Sequence, residues 1–300
     1  MPDFRNVLLD RLDMDLLSRL TAFVRVRGNL LPLCPSSKGW VEDCPQSPPG
    51  VIPYHVVVEG ACDFELVATG TRTRLTTGEI VVVPHGAHHR LLPLPRQRNS
   101  VVRILCGTFA TAPLRESVLL AGMPEQFVID TQDRAEFAWL AGVLDMMENE
   151  TLSERAGTAG IVGDLSSAIF TLILRTWLEA APVAAGLLAM AAHPALERIA
   201  VALLDEPERD WTAEQLAALG HVSRATLARL TDKHGAPTPA RLLTELRMHR
   251  AAQWLARGDA TAARVADWVG YDSEAAFNRA FKRLFGITPG RFASAARMPR

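Results

Sequence analysis

GYDSEAAFNRAFKRLFGITPGRF, residues 270–292, sets out one complete folding unit. Gly270 marks a turn, and Ser273 suits the N-cap of a following helix. Phe277 and Phe281 then share one face at helical spacing. The opposite face carries Glu274, Ala275, Asn278, Arg279 and Lys282. Fifty residues upstream the pattern recurs. SRATLARL from Ser223 matches SEAAFNRA from Ser273, and TPAR from Thr238 matches TPGR from Thr288. An internal repeat this regular is an organisational signal in its own right. Each unit reads as helix–turn–helix. Thr212 and Gln215 have capping-box spacing ahead of the first unit. Ala217 and Ala266 are small where two helices must approach, and Gly220 and Gly270 lie at the turns.

The second helix of each unit has the residue types that read a major groove. In the first unit Ser223, Arg224, Ala225, Ala228 and Arg229 lie on or beside the exposed face, with Leu227 and Leu230 behind it. Arginine pairs with guanine, asparagine with adenine, and glutamate accepts from cytosine. Arg279 is the expected base reader, and Lys282, farther along, faces phosphate. Between the units, PARLLTELRMHRAAQWLARG reads as a single amphipathic helix. About 17 residues of it span roughly 25 Å, a spacing suited to recognition helices about one DNA turn apart. From Trp211 onward the chain holds 14 Lys and Arg against 7 Asp and Glu, although the whole chain has a net charge of −1. A basic third in a neutral chain suits a polyanion partner. The plain alternative, a helical bundle with solvated arginines, does not account for the repeat, the charge and the groove-reading residues together.

WTAEQLAALGHVSRATLARL, followed by VADWVGYDSEAAFNRAFKRLFGITPGRF, closely resembles the DNA-binding domain of AraC-family transcription regulators, over about residues 196–297. The resemblance implies two helix–turn–helix motifs in adjacent major grooves and double-stranded DNA as partner. The candidate contacts are Ser223, Arg224, Ala225, Arg229, Ser273, Glu274, Ala275, Asn278, Arg279 and Lys282. Thr231 stands where the family usually has Phe. With Ala225 and Ala228 also small, the first helix is expected to read few bases, chiefly through Arg229.

From about Val51 the pattern changes to short β-rich runs: VIPYHVVVEG, CDFELVATG, TRTRLTTG, EIVVVPHG and VVRILCGTF. Several short strands at tight spacing argue for a sandwich or small barrel. GEIVVVPHGAHH, residues 78–89, matches the second motif of cupin barrels, with His88 where cupins place a metal ligand. His85 and His89 read as solvated loop positions. The first cupin motif normally supplies H-x-H and a glutamate, and here only His55 is present, in YHVVVEG. That incomplete set counts against an iron- or manganese-dependent cupin enzyme. For His88 two readings stay open: a hydrogen-bonded histidine at the barrel mouth, or a ligand of an altered site.

Strand alternation in VVRILC turns Arg103 outward and Val102, Ile104 and Cys106 inward. The same rule turns Cys62, Phe64 and Leu66 inward, with Cys62 read as packing. Cys34, in PLCPSSKGW, lies in a loop able to cover the barrel mouth. Cys34, Cys106, His55 and His88 could form a tetrahedral zinc site, with zinc the only cofactor suggested. Alternatively Cys34 and Cys106 form a reversible disulfide that reports oxidation. Cys44, in a Pro-rich loop, is uninformative. YHVVVEGACDFEL, GEIVVVPHGAHHRL and ILCGTF together resemble the cupin sensor of an AraC subfamily that includes oxidant-responsive activators. The subfamily pattern begins near Met14, so residues 1–13 read as an extension or a mis-assigned start.

The expected fold class is α+β: a cupin-like barrel or sandwich over 1–115, a helical linker or dimerisation segment over 116–195, and an all-α double helix–turn–helix domain over 196–300. No apolar run of about 18 residues suggests a spanning helix, and the mixed charges near the N-terminus do not suit a secretory signal. The chain is expected to be cytoplasmic, with reduced thiols, and to form a homodimer. The function expected is sequence-specific transcription regulation, without enzymatic activity, under an oxidant or small-molecule effector. RNA polymerase joins the partners if the protein is an activator. The competing reading is a cupin metalloenzyme fused to a DNA-binding module.

Overall fold

The computed structural model describes residues 15–24, 26–31, 40–95, 102–111, 120, 122–132, 134–153, 155–180, 186–258 and 260–296. The chain divides into two compact units, Thr21–Pro182 and Met1–Leu20 with Val183–Arg300.

Among the described residues the first unit holds nine strands: β1 Arg27–Leu31, β2 Glu42–Cys44, β3 Val51–Glu59, β4 Ala61–Leu66, β5 Thr71–Thr76, β6 Glu79–Val82, β7 His89–Pro93, β8 Arg103–Ala110 and β9 Phe127–Asp130. They form two antiparallel sheets, ordered β1-β8-β3-β6-β9 and β2-β7-β4-β5. Alternation decides which side chains meet between them. In β4, Cys62, Phe64 and Leu66 are buried while Ala61, Asp63 and Glu65 are half-buried. Cys62 and Cys106 fall in one apolar cluster with Phe64, Leu75 and Ile104, as the alternation predicts. Burial pushes the Cys62 thiol up to about 12, so Cys62 behaves as a small hydrophobe.

Helices α2 (Leu140–Ser153) and α3 (Thr158–Ala180) belong to this same unit. The compact unit that holds the strands therefore continues past residue 115, to Pro182. Helix α3 packs on β1, where Gly28 makes room for it. A Cβ at Gly28 would lie 1.9 Å from the Ser166 Cβ. Tyr54 stacks on Phe109 at 4.3 Å, and Phe109 meets Phe170 of α3 edge-on at 5.1 Å. By length and composition α3 would also pass as a membrane span. Its buried Ile169, Phe170, Ile173 and Leu174 mark it instead as a core helix of the sandwich. Arg103 points outward, as expected, and pairs with Glu148 at 2.8 Å and Asp145 at 3.3 Å on α2.

The second unit is helical: the start of α1 (Leu16–Val24), α4 (Pro194–Asp205), α5 (Ala213–Leu219), α6 (Arg224–Lys233), α7 (Pro239–Arg257), α8 (Ala262–Trp268), α9 (Glu274–Phe285) and α10 (Pro289–Ala296). Helix α7, 19 residues long, spans about 28 Å. It packs against α4, α8, α9 and α10 through buried Leu242, Leu246, Met248 and Leu255.

Candidate functional site

Both recognition helices start where the sequence places them. Thr212 and Gln215 close the capping box, with Thr212 Oγ1 accepting from the Gln215 amide at 3.2 Å and Gln215 Oε1 from the Thr212 amide at 3.0 Å. Ser223 Oγ accepts from the Thr226 amide at 3.1 Å, and Ser273 Oγ from the Ala276 amide at 3.3 Å. Ser223 also donates to Thr226 Oγ1 at 2.9 Å, so its hydroxyl serves the helix start. Ala217 and Ala266 are buried at the helix contacts. Gly270 has φ +79°, and a Cβ there would lie 2.4 Å from the Glu208 carbonyl. Glycine is required at that turn.

The exposed faces carry Arg224, Ala225, Ala228 and Arg229 on α6, and Glu274, Ala275, Arg279 and Lys282 on α9. Asn278 departs from its expected role. It is half-buried, and its Oδ1 is buried without a hydrogen-bond partner among the described residues. A buried Oδ1 cannot accept from a base, so the two-point pairing with adenine is lost in this rotamer. Arg224 is engaged as well, in an ion pair with Glu214. The Glu214 backbone amide first, and the Arg224 guanidinium second, hold that carboxyl below its usual range.

The charge count also conceals a clamp. Arg247 on α7 donates to four carbonyls: Pro207 at 2.7 Å, Gly270 at 2.8 Å, Arg209 at 2.9 Å and Glu208 at 3.3 Å. It ties the lead-in to the first helix–turn–helix to the turn of the second. A guanidinium with five donors is suited to this, but nothing in the local pattern separates it from a solvated arginine.

Inside the sandwich the histidines sort differently from the sequence reading. His88 is partly exposed and pairs with Asp43 at 3.0 Å. It is not an interior ligand. Arg90 first and His88 second hold the Asp43 carboxyl below its usual range. His85 is exposed and donates from Nε2 to the Met123 carbonyl at 3.0 Å. His89 is fully buried. It opens β7, where alternation turns His89 and Leu91 inward and Arg90 outward. His89 follows the same strand alternation that turns Cys106 inward, whereas the cupin motif spacing points to His88.

His89 and His55 come from opposite sheets, and their Nε2 atoms lie 2.8 Å apart. His55 Nδ1 lies 3.1 Å from Cys106 Sγ, and His89 Nδ1 lies 2.6 Å from the Ala87 carbonyl. The protons follow in order. The Ala87 carbonyl only accepts, so His89 Nδ1 carries hydrogen. A neutral His89 then leaves Nε2 bare to accept from His55 Nε2–H. That leaves His55 Nδ1 to accept from the Cys106 thiol. Burial first, and His89 second, push His55 down to about 3, and burial also pushes His89 down, so both rings are neutral near pH 7.

Cys44 completes the cluster. It opposes His89 in the β2–β7 register, and its sulfur and one nitrogen each from His55 and His89 lie within 4.8 Å of one another. Two imidazoles and a thiol are a zinc-type donor set. The group differs from the expected Cys34, Cys106, His55 and His88. His89 replaces His88, Cys44 supplies the sulfur, and Cys106 hydrogen-bonds a ligand. Cys34 lies outside the described residues, and with it the Cys34–Cys106 disulfide.

Residues 15–179 match the Cupin family model (Cupin_6), and residues 216–295 match the Helix-turn-helix domain model (HTH_18). The chain is 31% identical over 282 residues to the RCS-specific HTH-type transcriptional activator RclR of Escherichia coli, covering 93% of this chain and 97% of that protein. It is 26% identical over 300 residues to an HTH-type transcriptional regulator of Haemophilus influenzae, and 25% identical over 300 residues to the HTH-type transcriptional regulator MtrA of Neisseria gonorrhoeae. Each of these covers 93% of this chain and 98% of the relative.

Proposed function

We infer a division of labour from the family to which the chain belongs, the AraC-type helix–turn–helix transcription regulators with a cupin N-terminal unit: the helical unit reads DNA, and the cupin unit senses the signal that controls it. The observation that carries the DNA-reading assignment is the pair of serine-capped helices, α6 and α9, each with an exposed polar face. Arg279 is exposed on α9 and is the base reader. Arg279→Ala should cost about 1–3 kcal/mol of specific affinity and relax one operator base pair. A base-substitution binding scan with unchanged selectivity would remove Arg279 from this role.

The signal is an oxidant, read at the Cys44–His55–His89 cluster without catalytic turnover. The name of the Escherichia coli relative, RCS-specific, supports an oxidant, and two sulfurs at or beside the cluster supply its targets. Zinc fits the donor set. His89 already holds its proton on Nδ1, leaving Nε2 able to coordinate. His55 needs only to move its proton to Nδ1, where Cys106 Sγ accepts it. Cys106 therefore orients a ligand from outside the coordination shell. Zinc would hold the Cys44 sulfur as thiolate, the form a peroxide attacks to give a sulfenic acid and hydroxide. Losing that ligand would loosen the joint between the two sheets.

Cys106→Ala should weaken zinc binding by about 10–100-fold, measured by competition with a chromophoric chelator, and Cys44→Ser should weaken it more. Oxidant should change the DNA affinity of the wild type but not of Cys44→Ser. An unaltered response in Cys44→Ser would shift the assignment to an organic effector in the barrel. The working form is a cytoplasmic homodimer that engages RNA polymerase where it activates. Exposed Met146, Leu152 and Ile161 on α2 and α3 support self-association.

A further inference from the structure

We propose that the first helix–turn–helix is a second ligand site, one that binds a small hydroxylated aromatic molecule beside α6. The internal repeat supplies the argument. In the second unit, Phe277, Phe281, Phe285 and Phe292 pack as a continuous aromatic cluster, with ring centroids 4.6 to 6.0 Å apart. Fifty residues earlier, Phe277, Phe281 and Phe292 become Leu227, Thr231 and Leu242. The helices around them are retained, with a serine cap in each unit and a threonine at the start of the next helix, Thr238 accepting from the Arg241 amide and Thr288 from the Arg291 amide. The scaffold of an aromatic core is present and its rings are missing. Beside Leu227 and Thr231 lies a half-open cavity of about 630 Å³, mostly apolar, lined also by Trp211, Leu216, Leu243 and Thr244. That volume is in the range of small-molecule sites, which are mostly apolar with a few placed polar groups.

The ligand's chemistry follows from the lining. The second unit shows that aromatic rings are what this scaffold packs around. Thr231 is buried and donates its hydroxyl proton to the Ala228 carbonyl at 2.8 Å. Its oxygen keeps lone pairs able to accept from a ligand hydroxyl. Arg224 and Ala228 also line the cavity and sit on the exposed face of α6. An occupant would therefore set the stiffness and pose of the first recognition helix, and DNA affinity would respond.

The test is calorimetric titration of the full chain with 2-naphthol, alongside Thr231→Phe and Leu227→Phe, which give the first unit the second unit's rings. Saturable binding at one molecule per chain is expected for the wild type, with at least about tenfold weaker binding (1.4 kcal/mol) in both variants. If Thr231→Phe fails to fold, Leu227→Phe decides alone. No saturable binding to the wild type overturns the proposal. So does equal binding by the folded variants, which would place the ligand elsewhere in the chain. Neither result depends on DNA or oxidant, so the sensor assignment is tested separately.

Discussion

Phe281→Ala lowers the stability of the helical unit by about 3–5 kcal/mol, the usual cost of truncating a buried phenylalanine. Phe281 is fully buried and sits at the centre of the aromatic cluster, 5.7 Å from Phe277, 4.6 Å from Phe285 and 5.5 Å from Phe292. The rings belong to α9 and α10, and α7 closes the cluster with His249 edge-on to Phe285 at 5.5 Å. Collapse around the lost ring would have to move three helices at once, so the upper part of the range is expected. The fitting measurement is amide hydrogen exchange in residues 274–296, which reads local opening free energy. Protection should fall by about two to three and a half orders of magnitude, at 1.4 kcal/mol per tenfold. A loss below one order would mean that the cluster repacks. The equivalent position in the first unit already holds Thr231, so Thr231→Ala should cost far less, removing one methyl and one hydroxyl.

This contrast shows where the sequence was legible. The offset of 50 residues, the serine caps and the phenylalanine spacing are local signals, and each reappears as geometry. Alternation placed Cys62 and Cys106 because a strand's period of two leaves only two choices. His89 obeys the same rule but was hidden by a motif that pointed to His88, one residue away and on the opposite face. Cys44 had no local signal. It matters because β2 pairs with β7 in a register that sets it opposite His89, a long-range fact. Arg247 had none either, since its four carbonyl partners come from loops on both sides of α7 in sequence. The helices over 140–180 were legible as helices, but their docking on β1 depends on Gly28, a glycine whose purpose appears only when Ser166 lies over it.

The buried histidine pair makes the metal-free cupin unit acid-sensitive above the pH at which carboxylates titrate. His55 is held down to about 3 in the fold, against 6.5 for the free side chain, and His89 is displaced the same way. The sign follows from proton counting. Below pH 6.5 the unfolded chain takes up a proton on His55 that the folded chain refuses. Stability that is full above 6.5 is therefore lost as pH falls, and the loss continues toward the folded value near 3. One such group costs about 1.4 kcal/mol per pH unit within that window, and His89 adds in the same direction. Protonation would also break the relay, because two imidazolium rings cannot share one Nε2–Nε2 hydrogen bond. His55→Gln is the discriminating variant. Its amide cannot titrate, yet it can accept from the Cys106 thiol and donate to His89. With chelator present, unfolding of the sandwich should be followed from pH 7 to pH 5 in both proteins. The wild type should lose stability more steeply, by about one proton's worth of slope. Carboxylates contribute alike to both and cancel in the difference. Equal slopes would mean that His55 is protonated within the fold, and the neutral order of hydrogen bonds from Cys106 through His55 and His89 to Ala87 would be wrong.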